Sequence, residues 1–97
     1  MISNPPYKII YTGTAKKDVK FAKAWYKKQL PGLQKRFANS ILNAIERLQI
    51  NPYAYAVRYK NVRIIHPAIF PFGIHFYINE DSKQIVIFSV VHDYMDV

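Results

Sequence analysis

Phe70-Pro71-Phe72-Gly73-Ile74-His75-Phe76-Tyr77-Ile78, then Asn79-Glu80-Asp81-Ser82-Lys83, then Gln84-Ile85-Val86-Ile87-Phe88-Ser89-Val90-Val91 is the stretch that decides the fold. Phe72, Ile74, Phe76 and Ile78 alternate with Gly73, His75 and Tyr77, which is the period of two of a strand with one buried face. The polar pentapeptide after it holds no apolar residue, and the next run is again β-branched and aromatic. The pattern predicts a β-hairpin turning at 79–83.

Working outward, Arg58-Tyr59-Lys60 and Val62-Arg63-Ile64-Ile65 read as two shorter strands before the hairpin. Further upstream the period changes to that of a helix. Phe37, Ile41, Ala44, Ile45 and Leu48 predict a helix over 33–50 that stops at Asn51-Pro52. Val19, Ala22, Tyr26 and Leu30 predict another over 16–30, opened by Thr14 as N-cap, widened on its apolar side by Phe21 and Trp25, and halted at Pro31-Gly32. After Pro5-Pro6, Tyr7-Lys8-Ile9-Ile10-Tyr11 reads as a first strand. The expected order is β-α-α-β-β-β. The fold class is α+β, with an N-terminal strand, an antiparallel helical hairpin and a twisted antiparallel sheet of three to four strands packed under both helices.

With 97 residues the chain is expected to form one domain spanning 1–97. Zero cysteines exclude a disulfide scaffold, thiolate metal sites and a cysteine nucleophile, and fit a reducing cytoplasm. No apolar run reaches the roughly 18 residues of a membrane span, and Met1-Ile2-Ser3-Asn4 has no signal-peptide pattern, so a cytoplasmic protein without membrane contact is expected.

The net charge is +8, and it is unevenly placed. Residues 1–63 carry thirteen Lys or Arg against Asp18 and Glu46, while residues 64–97 carry only Lys83 against four acids, so the positive field belongs to the helical half. Lys16, Lys20, Lys23 and Lys27, at i, i+4, i+7 and i+11, form one narrow stripe of the first helix. The stripe is either a solvated face or a ridge for a polyanion or an acidic protein. A DNA-reading helix-turn-helix would need a second helix with exposed base-reading side chains, and this one offers mostly core residues and Ala.

The order of these pieces resembles the RelE/ParE superfamily of small bacterial toxins from type II toxin–antitoxin modules. The resemblance rests on the Tyr7–Tyr11 strand, the helical hairpin closing in Leu48-Gln49-Ile50-Asn51-Pro52, the basic strand with Arg63, Phe70–Tyr77, and the final Ile85–Val97. It covers nearly the whole chain. The ending His92-Asp93-Tyr94-Met95-Asp96-Val97 is similar to the His-x-Arg-Met-Asp that closes ParE-like members, known also as plasmid-stabilisation proteins, with Tyr94 at the arginine's place. Gly73 stands where RelE-like ribonucleases carry an arginine in the central strand, and the chain stops at Val97, where ParE-like members usually continue.

The resemblance implies a growth inhibitor neutralised by a cognate antitoxin, in a homodimer or a toxin–antitoxin hetero-oligomer. It is compatible with three functions: ParE-like inhibition of DNA gyrase by protein contact, RelE-like ribosome-dependent and metal-independent cleavage of mRNA, or antitoxin binding in a member that has lost its toxicity. For RNA cleavage the available parts are His92 as acid or base, Arg63 as phosphate clamp, and Tyr94, with Lys60 as a second cation. The same Lys60 and Arg63, with the four-lysine stripe, are the candidate binding residues. His66 and His75 read as structural, and Tyr53, Tyr55 and Tyr59 either stack bases or close the core below the second helix. Three histidines do not form a metal-ligand spacing, and three glycines cannot build a phosphate loop or a dinucleotide fingerprint, so neither metal nor cofactor is expected.

Overall fold

The computed structural model describes residues 7–94. Pro5-Pro6 and the terminal Met95, Asp96 and Val97 lie outside the described residues. Strand β1 (Lys8–Tyr11) leads into helix α1 (Gly13–Gln29) and helix α2 (Leu33–Ile50). A short 3-10 turn (Pro52–Ala54) precedes β2 (Val57–Tyr59), β3 (Val62–Ile65), β4 (Phe72–Asn79) and β5 (Gln84–His92). The sheet has five strands in the order β1-β5-β4-β3-β2, one or two more than the alternation predicts. β2, read from the sequence as Arg58-Tyr59-Lys60, begins one residue earlier and is exposed throughout.

Every strand pair is antiparallel except β1 with β5, which run parallel from Lys8↔Gln84 to Tyr11↔Ile87. The helical hairpin takes the chain across the sheet before β2 begins, so β1 is left at the far edge and pairs with the last strand. No described helix is long and apolar enough to cross a membrane.

One face of the sheet packs on both helices. From α2 come Phe37, Ile41, Ala44, Ile45 and Leu48, all five of the positions that the helical period selects. From the sheet come Ile65, Phe72, Ile74, Phe76, Ile85, Ile87 and Val90. Tyr26 and Phe37 meet Phe70 and Phe72 in edge-on and tilted pairs with centroids 5.0–6.2 Å apart, a geometry that suits the ring quadrupoles.

α1 departs from its predicted face. Ala15, Ala22 and Tyr26 are buried, but Leu30 is 58 % exposed because the helix ends at Gln29 and Leu30 is the extended C-cap. Phe21 and Trp25 point away from the core, 70 % and 51 % exposed. The N-cap is Thr12 and not Thr14: its hydroxyl accepts the Ala15 amide at 3.2 Å and donates to the Phe88 carbonyl at 3.3 Å, which ties the helix start to β5. Between the helices Gly32 adopts φ 100°, a left-handed conformation that side chains disfavour.

A bulge in β5 determines which side chains reach the helices. Ile85 and Ile87 pair with Ile78 and Phe76, whereas Val90 and His92 pair with Ile74 and Phe72, so Phe88 is the extra residue. A one-residue bulge reverses the in-out parity of the rest of its strand. Val90 and His92 therefore lie on the helix face, and Phe88, Ser89 and Val91 on the open face.

Candidate functional site

The helix face ends in a groove between α1 and the last turns of β5. Thr14, Lys17, Asp18, Phe21, Trp25 and Tyr26 form one wall, and Phe72, Ser89, Val90, Val91, His92 and Tyr94 the other, around about 730 Å³. Its rim is aromatic and open: Phe21, Trp25 and Tyr94 are all more than half exposed. Two of the sequence-selected residues meet here. His92 stacks edge-on with Phe72 at 5.1 Å and lies 5.7 Å from the Tyr94 ring, while its Nδ1 accepts the Tyr94 amide at 3.1 Å.

Arg63 is elsewhere. It pairs with Phe76, whereas His92 pairs with Phe72 two strands away. Four residues along the sheet and two strands across it put the two Cα positions roughly 16 Å apart. The Arg63 guanidinium donates to the Tyr55 carbonyl at 2.6 Å and lies 5.1 Å from the centroid of Tyr53, pinning the segment that joins α2 to β2. Lys60 is exposed at the β2–β3 turn with φ 48°. Arg63, Lys60 and His92 are not brought to one place.

The lysine stripe borders a second groove. Lys16, Lys20 and Lys23 stand over Tyr11, Val19, Ala38, Ile41, Leu42 and Ile45 around about 460 Å³, and Lys27 continues the exposed row. Leu42 is 55 % exposed on its floor. This groove between the helices is apolar below and cationic along one side.

The open face of the sheet carries a cluster built around His66 and His75, the two histidines read from the sequence as structural. His66 Nδ1 lies 2.9 Å from the Phe72 carbonyl and 3.5 Å from Asp93 Oδ1, and the Tyr59 hydroxyl lies 3.1 Å from His75 Nδ1. Burial, then the nearby His66 and Arg58, push the His75 imidazole below its ordinary value, which keeps it neutral at pH 7. Gly73 makes room for this cluster: a Cβ there would come 3.1 Å from Ile64 Cγ2, 3.5 Å from Asp93 Oδ1 and 3.6 Å from His66 Cε1. His66 and Asp93 are 27 positions apart, and no local motif links them. Among the described residues no group of three or more His, Cys, Asp or Glu is placed to hold a metal ion.

The three tyrosines after α2 divide. Tyr55 packs on the core beside Phe76, Tyr59 belongs to the open face, and Tyr53 donates its hydroxyl to Glu80. Glu80 also accepts from Tyr7 at 3.0 Å and from Lys83. These partners, Lys83 first, hold the Glu80 carboxyl down at about 2, and Glu80 holds the Tyr53 phenol up at about 12.

A strand, a helical hairpin and a five-stranded sheet packed under both helices, with most of the cations on the helices, make a small basic α+β domain. The structure superposes on the chromosomal ParDE toxin–antitoxin system from P. aeruginosa with TM-score 0.76 and 19 % identity, over 92 % of this chain and 98 % of that one. It also superposes on the RelBE2 toxin–antitoxin complex from Mycobacterium tuberculosis with TM-score 0.63 and 20 % identity, over 90 % and 98 %. No curated protein sequence matches the chain. Residues 9–97 match the model of the ParE toxin of the type II toxin–antitoxin system parDE, and the chain belongs to that family.

Proposed function

We propose that this toxin acts by binding, that its target is DNA gyrase, and that a cognate antitoxin neutralises it. The observation that carries the reading is the placement of Arg63 away from His92: an acid–base group and a phosphate clamp must both reach one phosphate, and these two stand on strand positions roughly 16 Å apart with the Arg63 guanidinium held at the Tyr55 carbonyl. His92 and Tyr94 instead form part of an apolar groove suited to protein contact. The lysine stripe beside the second groove supplies the charge for an acidic antitoxin. The antitoxin partner has further support in the two structural neighbours, both of them toxin–antitoxin systems.

A second reading, metal-independent mRNA cleavage at the ribosome, draws on the open face, where His66, Asp93, His75 and Tyr59 lie together beside Arg58. Expression of the protein alone from a tight promoter, with pulse labelling of DNA and protein synthesis over the first minutes, separates the readings. DNA synthesis failing first, with His92→Ala still toxic, supports gyrase. Translation failing first, with cut messengers and loss of toxicity in His66→Ala, overturns it in favour of RNA cleavage. Unimpaired growth leaves an antitoxin binder without a poison.

A further inference from the structure

The link from β3 to β4 turns on a strained residue. The Phe70 amide donates to the Ala68 carbonyl at 2.9 Å across Ile69, whose φ is 77°. A hydrogen bond from i+2 to i around a positive φ is the rare and strained form of γ-turn. For a β-branched residue such a φ is a steric outlier, whereas glycine would adopt it freely.

The surroundings hold the turn in this shape. Ser40, the one buried polar residue among those described, donates its hydroxyl to the Ala68 carbonyl at 2.5 Å, and Arg47 donates to the His66 carbonyl at 3.5 Å. Pro67 and Phe70 are buried on either side of the tip, the Phe70 ring lying 5.0 Å from Tyr26 and 5.3 Å from Phe37. Pro71 accepts the Asp93 amide at 2.7 Å. Within this frame Ile69 itself is 80 % exposed, so its strain is not offset by burial of its own side chain. Strain that the surrounding structure imposes on an exposed residue points to a use for that residue.

The flanks of the turn are cationic. Arg36, Ser40 and Arg47, at i, i+4 and i+11, share one line of α2, and both arginines are exposed beside the loop that Ser40 holds. Asp93, the acid tied to Pro71, lies 3.5 Å from His66. Residues 66–71 line neither of the two grooves, so the turn stays outside the lysine-edged surface assigned to the antitoxin.

We infer that Ile69 is an anchor that enters an apolar pocket with an acidic rim on the poisoned protein. Interfaces concentrate their energy in a few side chains seated in such pockets, and a turn already fixed in shape spares the cost of ordering it on contact. Arg36 and Arg47 match the acidic rim. The inference rests on the reading of this protein as a toxin that acts by binding gyrase, and it names the contact.

The test compares the full-length protein with Ile69→Gly, which removes both the side chain and the strain, and Ile69→Val, which keeps most of each. Inhibition of supercoiling by purified gyrase is measured beside urea unfolding. Ile69→Gly should need at least about ten-fold more protein for half inhibition while its urea midpoint stays level or rises, and Ile69→Val should inhibit within about three-fold of the parent. Equal inhibition by Ile69→Gly, or a loss that only follows a lowered urea midpoint, overturns the anchor and leaves the gyrase reading standing. A parent that spares gyrase yet stops growth overturns the gyrase reading instead. The same comparison then reads on growth: Ile69→Gly tolerated at about ten-fold higher expression supports the anchor, and equal toxicity overturns it. A parent that inhibits neither gyrase nor growth overturns both.

Discussion

The carboxylate of Asp18, the one acid of α1, accepts the backbone amide of Val90 in β5 at 2.9 Å. It joins residues 72 positions apart and substitutes for a neighbouring strand at a point where β1 has already ended. A helix with six lysines and a single acid keeps that acid where the sheet needs an acceptor. Asp18→Ala leaves the Val90 amide without a partner and is expected to destabilise the fold by about 1 to 3 kcal/mol. Asp18→Asn, which retains an oxygen acceptor, should recover at least half of that loss. Urea denaturation monitored by circular dichroism checks both.

Arg63 is expected to act on stability ahead of chemistry. Arg63→Ala removes the hydrogen bond to the Tyr55 carbonyl and the contact with the Tyr53 ring, at a cost of about 1 to 3 kcal/mol. Any fall in toxicity should track the fraction of protein folded, and lowering the temperature should restore it. A folded Arg63→Ala protein without toxicity would place Arg63 in the site.

Glu80 sets the acid limit. Its folded value of about 2 lies below the ordinary 4.5, so the folded state holds the deprotonated form more tightly than the unfolded chain does. Its contribution is complete above about pH 4.5 and is lost as pH falls toward about 2. Tyr53 has the opposite sign: with its phenol raised from 10.0 to about 12, its contribution is complete below pH 10 and disappears as pH rises to about 12. Glu80→Gln should flatten stability in both windows, which thermal melts from pH 2 to pH 11 can track.

Gly73 tests how closely the open face is packed. In Gly73→Ala the gain from replacing a strand glycine, about 0.5 to 1 kcal/mol, opposes a Cβ placed 3.1 Å from the movable Ile64 Cγ2, so the net change should stay within about 1 kcal/mol. Gly73→Val has no such room and should cost about 1 to 3 kcal/mol. It should also part His66 from Asp93, visible as a shift of the His66 ring protons. An unchanged His66 spectrum would mean that the glycine is not what lets this pair form.

Most of the elements were legible because their patterns are local. The α2 boundaries and its five apolar core residues come from the 3.6-residue period, and the β4–β5 hairpin from alternation around a polar turn. The exposed Phe21, Trp25 and Leu30 were not legible, because apolarity alone does not say which side of a helix a sheet will leave uncovered. The His66–Asp93 and Tyr59–His75 pairs were equally hidden, each being made across strands whose register no short motif encodes.

The chain's own order of residues therefore determined the elements, the basic helical half, the apolar identity of the core and the family pattern. Tertiary structure decided the placement of the chemistry. A single extra residue at Phe88 reverses the parity of β5 and sends His92 to the helix face, while Arg63 and His92 are set apart by register. The physical reason is one of range: periodicity and turn chemistry are settled within a few residues, but a bulge, a strand order and an uncovered edge arise only when distant segments compete for the same hydrogen bonds and the same apolar surface.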